Sequence, residues 1–326
     1  MKILVTGGAG FIGSHLVEEL VKKKNEVLVL DNFTTGHLDN LSHIKSKVKI
    51  IKKDIRKYDE ILRFFKDVNK VFHLAALADI VPSIKNPNYY YETNVSGTLN
   101  VIRACLEHNV KKIIYTASAS CYGASCKIPT SEEEKINPEY PYALTKRMGE
   151  EIIMHWGKIY KLNVTSLRLF NVYGPRSRTS GTYGAMFGVF LAQKLSNKPF
   201  TIVGNGNQSR DFTFVNDVVN AMILASNTYK TNNMILNVGS GKPTRINKII
   251  KLLKGSHVNI PKRPGEPYST FANINKIKKI LNWRPEISIE KGIKILLNNI
   301  NYWKKAPIWT PNKIKKETKL WFKYLR

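Results

Sequence analysis

Tyr142 and Lys146 stand four residues apart in PEYPYALTKRMGEE, residues 138–151. On a helix that spacing places phenol and ammonium on one face, where the positive charge would draw the phenol's pKa down and make it a usable base. The pair alone is common by chance, and a solvated helix face would account for it. Its setting gives it weight. Just upstream lies YTASASCYG, residues 115–123, in which Thr116, Ser118 and Ser120 alternate and so share one face of a strand. Far upstream lies VTGGAGFIGSHL, a β-like run, a glycine cluster and a helix start.

The glycine cluster is suited to a nucleotide. Gly7, Gly10 and Gly13 are spaced three apart, and Gly8, Gly10 and Gly13 satisfy G-x-G-x-x-G, which lets a backbone approach a pyrophosphate at a helix N-terminus. Asp31 closes the next β-like run 18 residues after Gly13, where an acid would hydrogen-bond an adenosine ribose. A carboxylate there repels a 2′-phosphate and so favours NAD over NADP. Asp31 as an ordinary turn residue is the alternative.

These residues need a scaffold that brings strand ends together. The runs KILVT, EVLVLD, VKIIKKD, KVFHLA, KKIIYTAS and VTSLRL alternate with helical patterns, including Gly10–Lys23 and Asn94–His108. That alternation predicts an α/β fold with a doubly wound, Rossmann-type parallel sheet. After about residue 170 the pattern loosens into short elements punctuated by Gly, Pro and Asn. We expect an NAD-binding domain over 1–170, completed by elements from about 212–240, and a smaller substrate-binding domain over 171–326.

Composition narrows the class. The chain has 326 residues, 43% apolar, without an apolar run near the roughly 20 residues a bilayer crossing needs or a recognisable signal peptide. Cys105, Cys121 and Cys126 have neither metal-ligand nor C-x-x-C spacing, so we expect no metal and a reduced, cytoplasmic setting. The net charge of +28 is sprinkled through every segment rather than gathered into a stripe, which argues against a nucleic-acid partner. An anionic small substrate is well served by such a field.

Taken in order, the motifs resemble the extended short-chain dehydrogenases/reductases of the sugar-nucleotide epimerase and dehydratase group. They are TGGAGFIG (6–13), Asp31, Asp54-Ile55, HLAA (73–76) with Ser83 and Pro87 downstream, NVSGT (94–98), SASCYG and YALTK, followed by RLFNVYGPR (168–176), SRDFTFVNDV (209–218), NVGSG (237–241) and RPGEP (263–267). The resemblance implies NAD held by Gly7, Gly10, Phe11, Ile12, Gly13, Asp31, Asn32, Asp54 and Ile55, with Ala75, Asn94, Tyr142 and Lys146 nearer the nicotinamide. It also implies a nucleotide-sugar substrate met by Ser83 and Ser118, its diphosphate gripped by Asn171, Arg210 and Arg263, with a gate at Thr270. Arginine forks suit a diphosphate. A homodimer through Asn94–His108 and Tyr142–Tyr160 is implied too, with Ile152, Ile153 and Trp156 open to burial there or in the chain's own core.

The same resemblance fixes an opening step: Tyr142 takes the sugar 4-hydroxyl proton while C4 gives up hydride, with Ser118 as second partner of that oxygen. The fate of the resulting 4-keto sugar depends on positions 119 and 120. Dehydratases of the group carry an Asp-Glu pair there and decarboxylases keep the Glu, whereas this chain has Ala119 and Ser120. The expectation is therefore 4-epimerisation. The small Thr270 admits UDP-N-acetylglucosamine/N-acetylgalactosamine beside UDP-glucose/galactose. Other fates of the 4-keto sugar, or a binding protein that senses nucleotides, are the alternatives. The group's pattern is departed from at Asn273 and in the loop around GTYGAMFG.

Residues 306–325, APIWTPNKIKKETKLWFKYL, extend beyond where many relatives stop. Thr310 and Pro311 read as a cap and first turn, with Ile314, Trp321, Tyr324 and Leu325 near one apolar face. Such a basic amphipathic helix docks on its own protein or lies on an anionic membrane.

Overall fold

The structure, a computed structural model, describes residues 1–177 and 185–325. Residues 181–184 of the loop around GTYGAMFG therefore lie outside the described residues.

The six β-like runs form strands β1 (Lys2–Thr6), β2 (Glu26–Asp31), β3 (Val48–Lys52), β4 (Lys70–His73), β5 (Lys112–Ser118) and β6 (Val164–Leu169), joined by β7 (Met234–Val238). They make one parallel sheet in the order β7-β6-β5-β4-β1-β2-β3. Strands buried on both faces carry near-continuous apolar runs, and Leu4, Val5, Val29, Leu30, Ile113 and Ile114 are all sealed from solvent. Helices α1 (Phe11–Lys22) and α4 (Val215–Ser226) cover one face, while α2 (Gly97–Glu107) and α3 (Pro141–Ile159) cover the other. The strand order reverses between β1 and β4. In such sheets ligands sit at the carboxyl ends of the strands beside that reversal.

Helix α3 starts at Pro141, whose fixed φ suits a first turn, and presents Ala143, Lys146, Gly149, Glu150 and Ile153 to the sheet at helical spacing. Ile153 is buried in the chain's own core, and Ile152 and Trp156 pack against the same cluster. Beyond the sheet, a second cluster gathers Phe187, Phe190, Phe200, Ile249, Ile293 and Trp303 around the parallel pair Phe200–Val203 and His257–Ile260. Among the described residues no helix is long and apolar enough to cross a membrane.

Candidate active site

A cleft of about 640 Å³ runs from the glycine turn after β1, across the ends of β4 and β5, to the loops of the second cluster. Gly7, Gly10, Phe11, Ile12, Gly13, Asp31, Asn32, Ile55, Ala75, Ser118, Tyr142, Lys146, Asn171, Arg210, Arg263 and Thr270 all line it. Residues spread over the whole chain thus meet in one trough.

At its first end the backbone leaves room that only glycine permits. Gly7 has φ of +70°, and a Cβ there would lie 2.7 Å from the Ala75 nitrogen. A Cβ on Gly13 would run into the Gly7 carbonyl and lie 2.8 Å from the Gly8 Cα. Asp31 is buried, its carboxylate accepting from the Ala9 N–H at 3.0 Å and the Phe33 N–H at 2.8 Å. Burial raises its pKa and the two N–H donors oppose that rise. A tight turn at a helix N-terminus, closed by a carboxylate with lone pairs to spare, fits the pyrophosphate and ribose of a dinucleotide.

Beneath this turn a buried chain of hydrogen bonds ties β1, β4 and α2. Thr98 donates to the Asn94 carbonyl at 2.6 Å, so it accepts from His73 Nε2 at 3.0 Å. His73 Nδ1 is then the acceptor for the Thr6 hydroxyl at 2.7 Å, and Thr6 Oγ1 in turn accepts from the Ala75 N–H at 3.2 Å. Every member is satisfied with His73 neutral, and burial lowers its pKa to about 3.

Two residues expected to hold the cofactor work one layer back, outside the cleft lining. Asp54 accepts from Arg56 Nη2 at 2.9 Å and from Asn32 Nδ2 at 3.0 Å, fixing Asn32, which does line the cleft. Asn94 is buried, accepts from the Leu77 N–H at 2.8 Å and donates to the Leu77 carbonyl at 3.0 Å and Thr145 Oγ1 at 3.1 Å. Both side chains are held by protein partners, and neither is among the residues lining the cleft. Ser83, expected at the substrate, is also absent from the lining: it is fully buried and donates to the Ile80 carbonyl at 2.6 Å, inside its own short helix Ile80–Lys85.

At the reacting centre, the Ser118 and Ser120 hydroxyls lie 2.8 Å apart, and Ser118 Oγ accepts from the Ser120 N–H at 3.2 Å. Tyr142 stands half-buried beside them. Its pKa is raised, not lowered as the Tyr-Lys spacing suggested, because removal from water disfavours the phenolate more than the neighbouring Ser118 and Ser120 hydroxyls favour it. Lys146 is desolvated as well. Burial lowers its pKa to about 7 against the opposing charge of Glu150, and its ammonium lies 4.4 Å from the centre of the Tyr115 ring. Thr116 Oγ1, also on this wall, is buried with no hydrogen-bond partner among the described residues.

At the far end, Arg210 donates to Glu266 at 2.9 Å and Arg263 comes within 3.8 Å of the same carboxylate. Thr270 donates to Asn171 Oδ1 at 3.1 Å, linking the expected gate to one of the expected gripping residues. Sequence reasoning missed Tyr140, Glu266 and Trp321, which share this wall. Tyr140 is signalled only by lying two residues before Tyr142.

The protein family described as NAD dependent epimerase/dehydratase matches residues 3–239. A putative UDP-glucose 4-epimerase of Methanocaldococcus jannaschii is 38% identical over 304 residues, 91% of this chain and 97% of the relative. Among solved structures, UDP-glucose 4-epimerase from Thermotoga maritima with UDP-glucose is 33% identical with a TM-score of 0.86, covering 94% of this chain and 99% of its own. UDP-glucuronic acid 4-epimerase from Bacillus cereus, in complex with UDP-glucuronic acid and NAD, is 32% identical with a TM-score of 0.85, covering 92% and 99%.

Proposed function

Because the chain belongs to the NAD-dependent epimerase/dehydratase family and several of its relatives are named UDP-sugar 4-epimerases, we propose that it inverts C4 of a UDP-linked hexose. The observation that carries this reading is the wall beside Tyr142, where Ala119 and a hydroxyl pair, Ser118 and Ser120, stand in place of carboxylates. Proton transfer at C5 or C6 needs an acid or base beside those carbons, and hydroxyls of ordinary pKa are poor at both. Transfer at O4 needs one good base and one hydrogen-bonding partner, which Tyr142 and Ser118 supply.

Bound NAD supplies the reversible removal and return of hydride at C4. The chain's own residues do the rest. Tyr142 takes the 4-hydroxyl proton and gives it back, and Ser118 holds the same oxygen on its other side. Lys146, one helical turn from Tyr142 and with a pKa of about 7, can gain or lose its charge near neutrality on the same wall of the cleft. Arg210 and Arg263 exchange their shared Glu266 for the diphosphate, which keeps the nucleotide fixed while the 4-keto ring turns its other face to the same carbon-hydrogen chemistry. The sugar pairs to compare first are UDP-glucose/galactose and UDP-N-acetylglucosamine/N-acetylgalactosamine, since the cleft residue at the expected gate, Thr270, is small.

The test is incubation of the purified protein, without added NAD, with UDP-glucose, UDP-N-acetylglucosamine and UDP-glucuronate, with the products identified by NMR. Conversion to the C4 epimer in at least one case is expected. Loss of the 6-hydroxyl or of carbon dioxide overturns the reading.

A further inference from the structure

The tail does not form one continuous helix. It folds as α5 (Pro311–Glu317) and α6 (Lys319–Tyr324), with Thr310 capping α5 by accepting from the Lys313 N–H at 3.4 Å. The apolar face expected from the sequence is turned inward: Ile314 and Trp321 are buried, whereas Tyr324 is exposed. Bonds to three separate parts of the chain help fasten the strap. Gln193 donates to the Trp309 carbonyl at 2.7 Å, Lys85 pairs with Glu317 at 2.6 Å, and Trp321 Nε1 donates to the Pro264 carbonyl at 2.7 Å.

This last bond brings the tail into the cleft. Trp321 lines it, with the Arg263 guanidinium 5.5 Å from its ring centre and the Tyr140 ring 6.5 Å away. Tyr140 in turn stacks nearly parallel to Tyr142, ring centres 6.4 Å apart at 12°. For a C4 epimerase, the reacting carbon lies at Tyr142 and Ser118 and the diphosphate at Arg210 and Arg263. The hexose must then occupy the interval between them, and Trp321 lines the cleft beside Arg263 on one side and beside Tyr140, the stacking partner of Tyr142, on the other.

We propose that Trp321 is a specificity-determining residue of the sugar subsite, the wall that limits how bulky a substituent the hexose can carry. The inference rests on the epimerase reading for where the sugar lies. The indole's one polar atom is already committed to the Pro264 carbonyl, so it offers the sugar an apolar surface without a directional bond. Such a wall suits a pyranose ring that has to turn over: it confines the ring without holding any one orientation of its hydroxyls. A large aromatic residue that is itself buried and fixed by a hydrogen bond also cannot shrink aside for an N-acyl group. Thr270 leaves space on its side of the cleft, and Trp321 takes it away on the other.

The test compares wild type with Trp321→Ala and Trp321→Phe, each checked for retained NAD and an intact melting transition. Affinities for UDP alone and for UDP-glucose are measured by calorimetry, and kcat/KM is measured for UDP-glucose and UDP-N-acetylglucosamine. Trp321→Ala is expected to weaken UDP-glucose at least about fivefold more than UDP, and to shift the kcat/KM ratio at least about tenfold toward the N-acetylated sugar. Trp321→Phe keeps the wall and is expected to leave that ratio within about threefold. Equal losses for UDP and UDP-glucose overturn the proposal, since the residue then acts only through the Arg263 loop. An unchanged selectivity in Trp321→Ala overturns it as well. If wild type inverts none of the sugars, the epimerase reading fails separately, and the calorimetric difference between UDP and UDP-glucose still decides whether Trp321 meets the sugar.

Discussion

The two ends of the cleft are built on opposite plans. At the glycine turn the chain's own backbone makes the site, and each polar atom beneath it, from Ala75 through Thr6, His73 and Thr98 to Asn94, is already bonded. At the sugar end the site is made of side chains, and its charges are held by pairing with each other, as Arg210 is with Glu266. A rigid, satisfied cradle suits a cofactor that stays in place through the reaction. Exchangeable pairs and an apolar wall suit a substrate that must enter, turn and leave. Damage at the first end should therefore appear as lost cofactor and lost stability, and damage at the second as lost turnover or altered choice of sugar.

The sharpest break between the two is expected from Tyr142→Phe, which removes one oxygen from the reacting centre and touches no bond of the cradle. We expect kcat to fall by about 10²–10⁴-fold, the usual worth of a positioned acid-base group. NAD content and melting temperature should match wild type. A variant with an unchanged rate would remove Tyr142 as the base, and one that loses NAD would mean the two ends are not separable.

Gly13→Ala probes the opposite end. Its Cβ would collide with the Gly7 carbonyl, so the turn has to move to accept it. Overpacking of this kind costs about 1–3 kcal/mol. The expected result is protein purified with little NAD and a lowered melting point, with turnover restored in part by excess NAD. Full NAD content would show that the turn yields more easily than its geometry indicates.

The two plans also differ in how openly the sequence displays them. The cradle is local: a β-like run, three glycines and an acid 18 residues on are read directly from spacing, as are the six strands, whose apolar runs in all but the edge strand β3 announce burial on both faces. β7 is harder to read, because MILNV is short and lies among Asn and Gly punctuation, and only its pairing with β6 makes it a strand of the sheet. The sugar wall is not local at all. Trp321 reaches Pro264 and Tyr140 only after the chain has closed around the cleft, and no periodicity encodes that return. Ser83, Asp54 and Asn94 show the limit of the sequence in the opposite sense, since all three lie outside the cleft lining. A polar residue within a family motif can serve the site or the backbone that carries it, and here their hydrogen bonds to Ile80, Arg56 and Leu77, which residue type does not announce, appear only in the fold.

Lys146 lies where the two ends meet, and its titration gives the smallest but most direct measure of how dry that junction is. Its pKa stands at about 7, below the ordinary value of 10.5, because burial disfavours the ammonium. The unfolded chain therefore carries a proton here between about pH 7 and 10.5 that the folded chain does not. Binding more protons when unfolded makes stability rise with pH across that window, by up to about 1.4 kcal/mol per unit for a single group. Below pH 7 both states hold the proton, and the whole cost of burying the charge is felt. Lys146→Met removes this contribution, so the difference in unfolding free energy between variant and wild type should narrow steadily from pH 7.5 to 9.5 in urea titrations. Lys112, whose pKa burial lowers to about 8, titrates alike in both proteins and cancels from the difference. A difference independent of pH would place water around Lys146 and deny the junction its dryness. The raised pKa of Tyr142 would then lose its cause as well, because the same desolvation acts on both side chains.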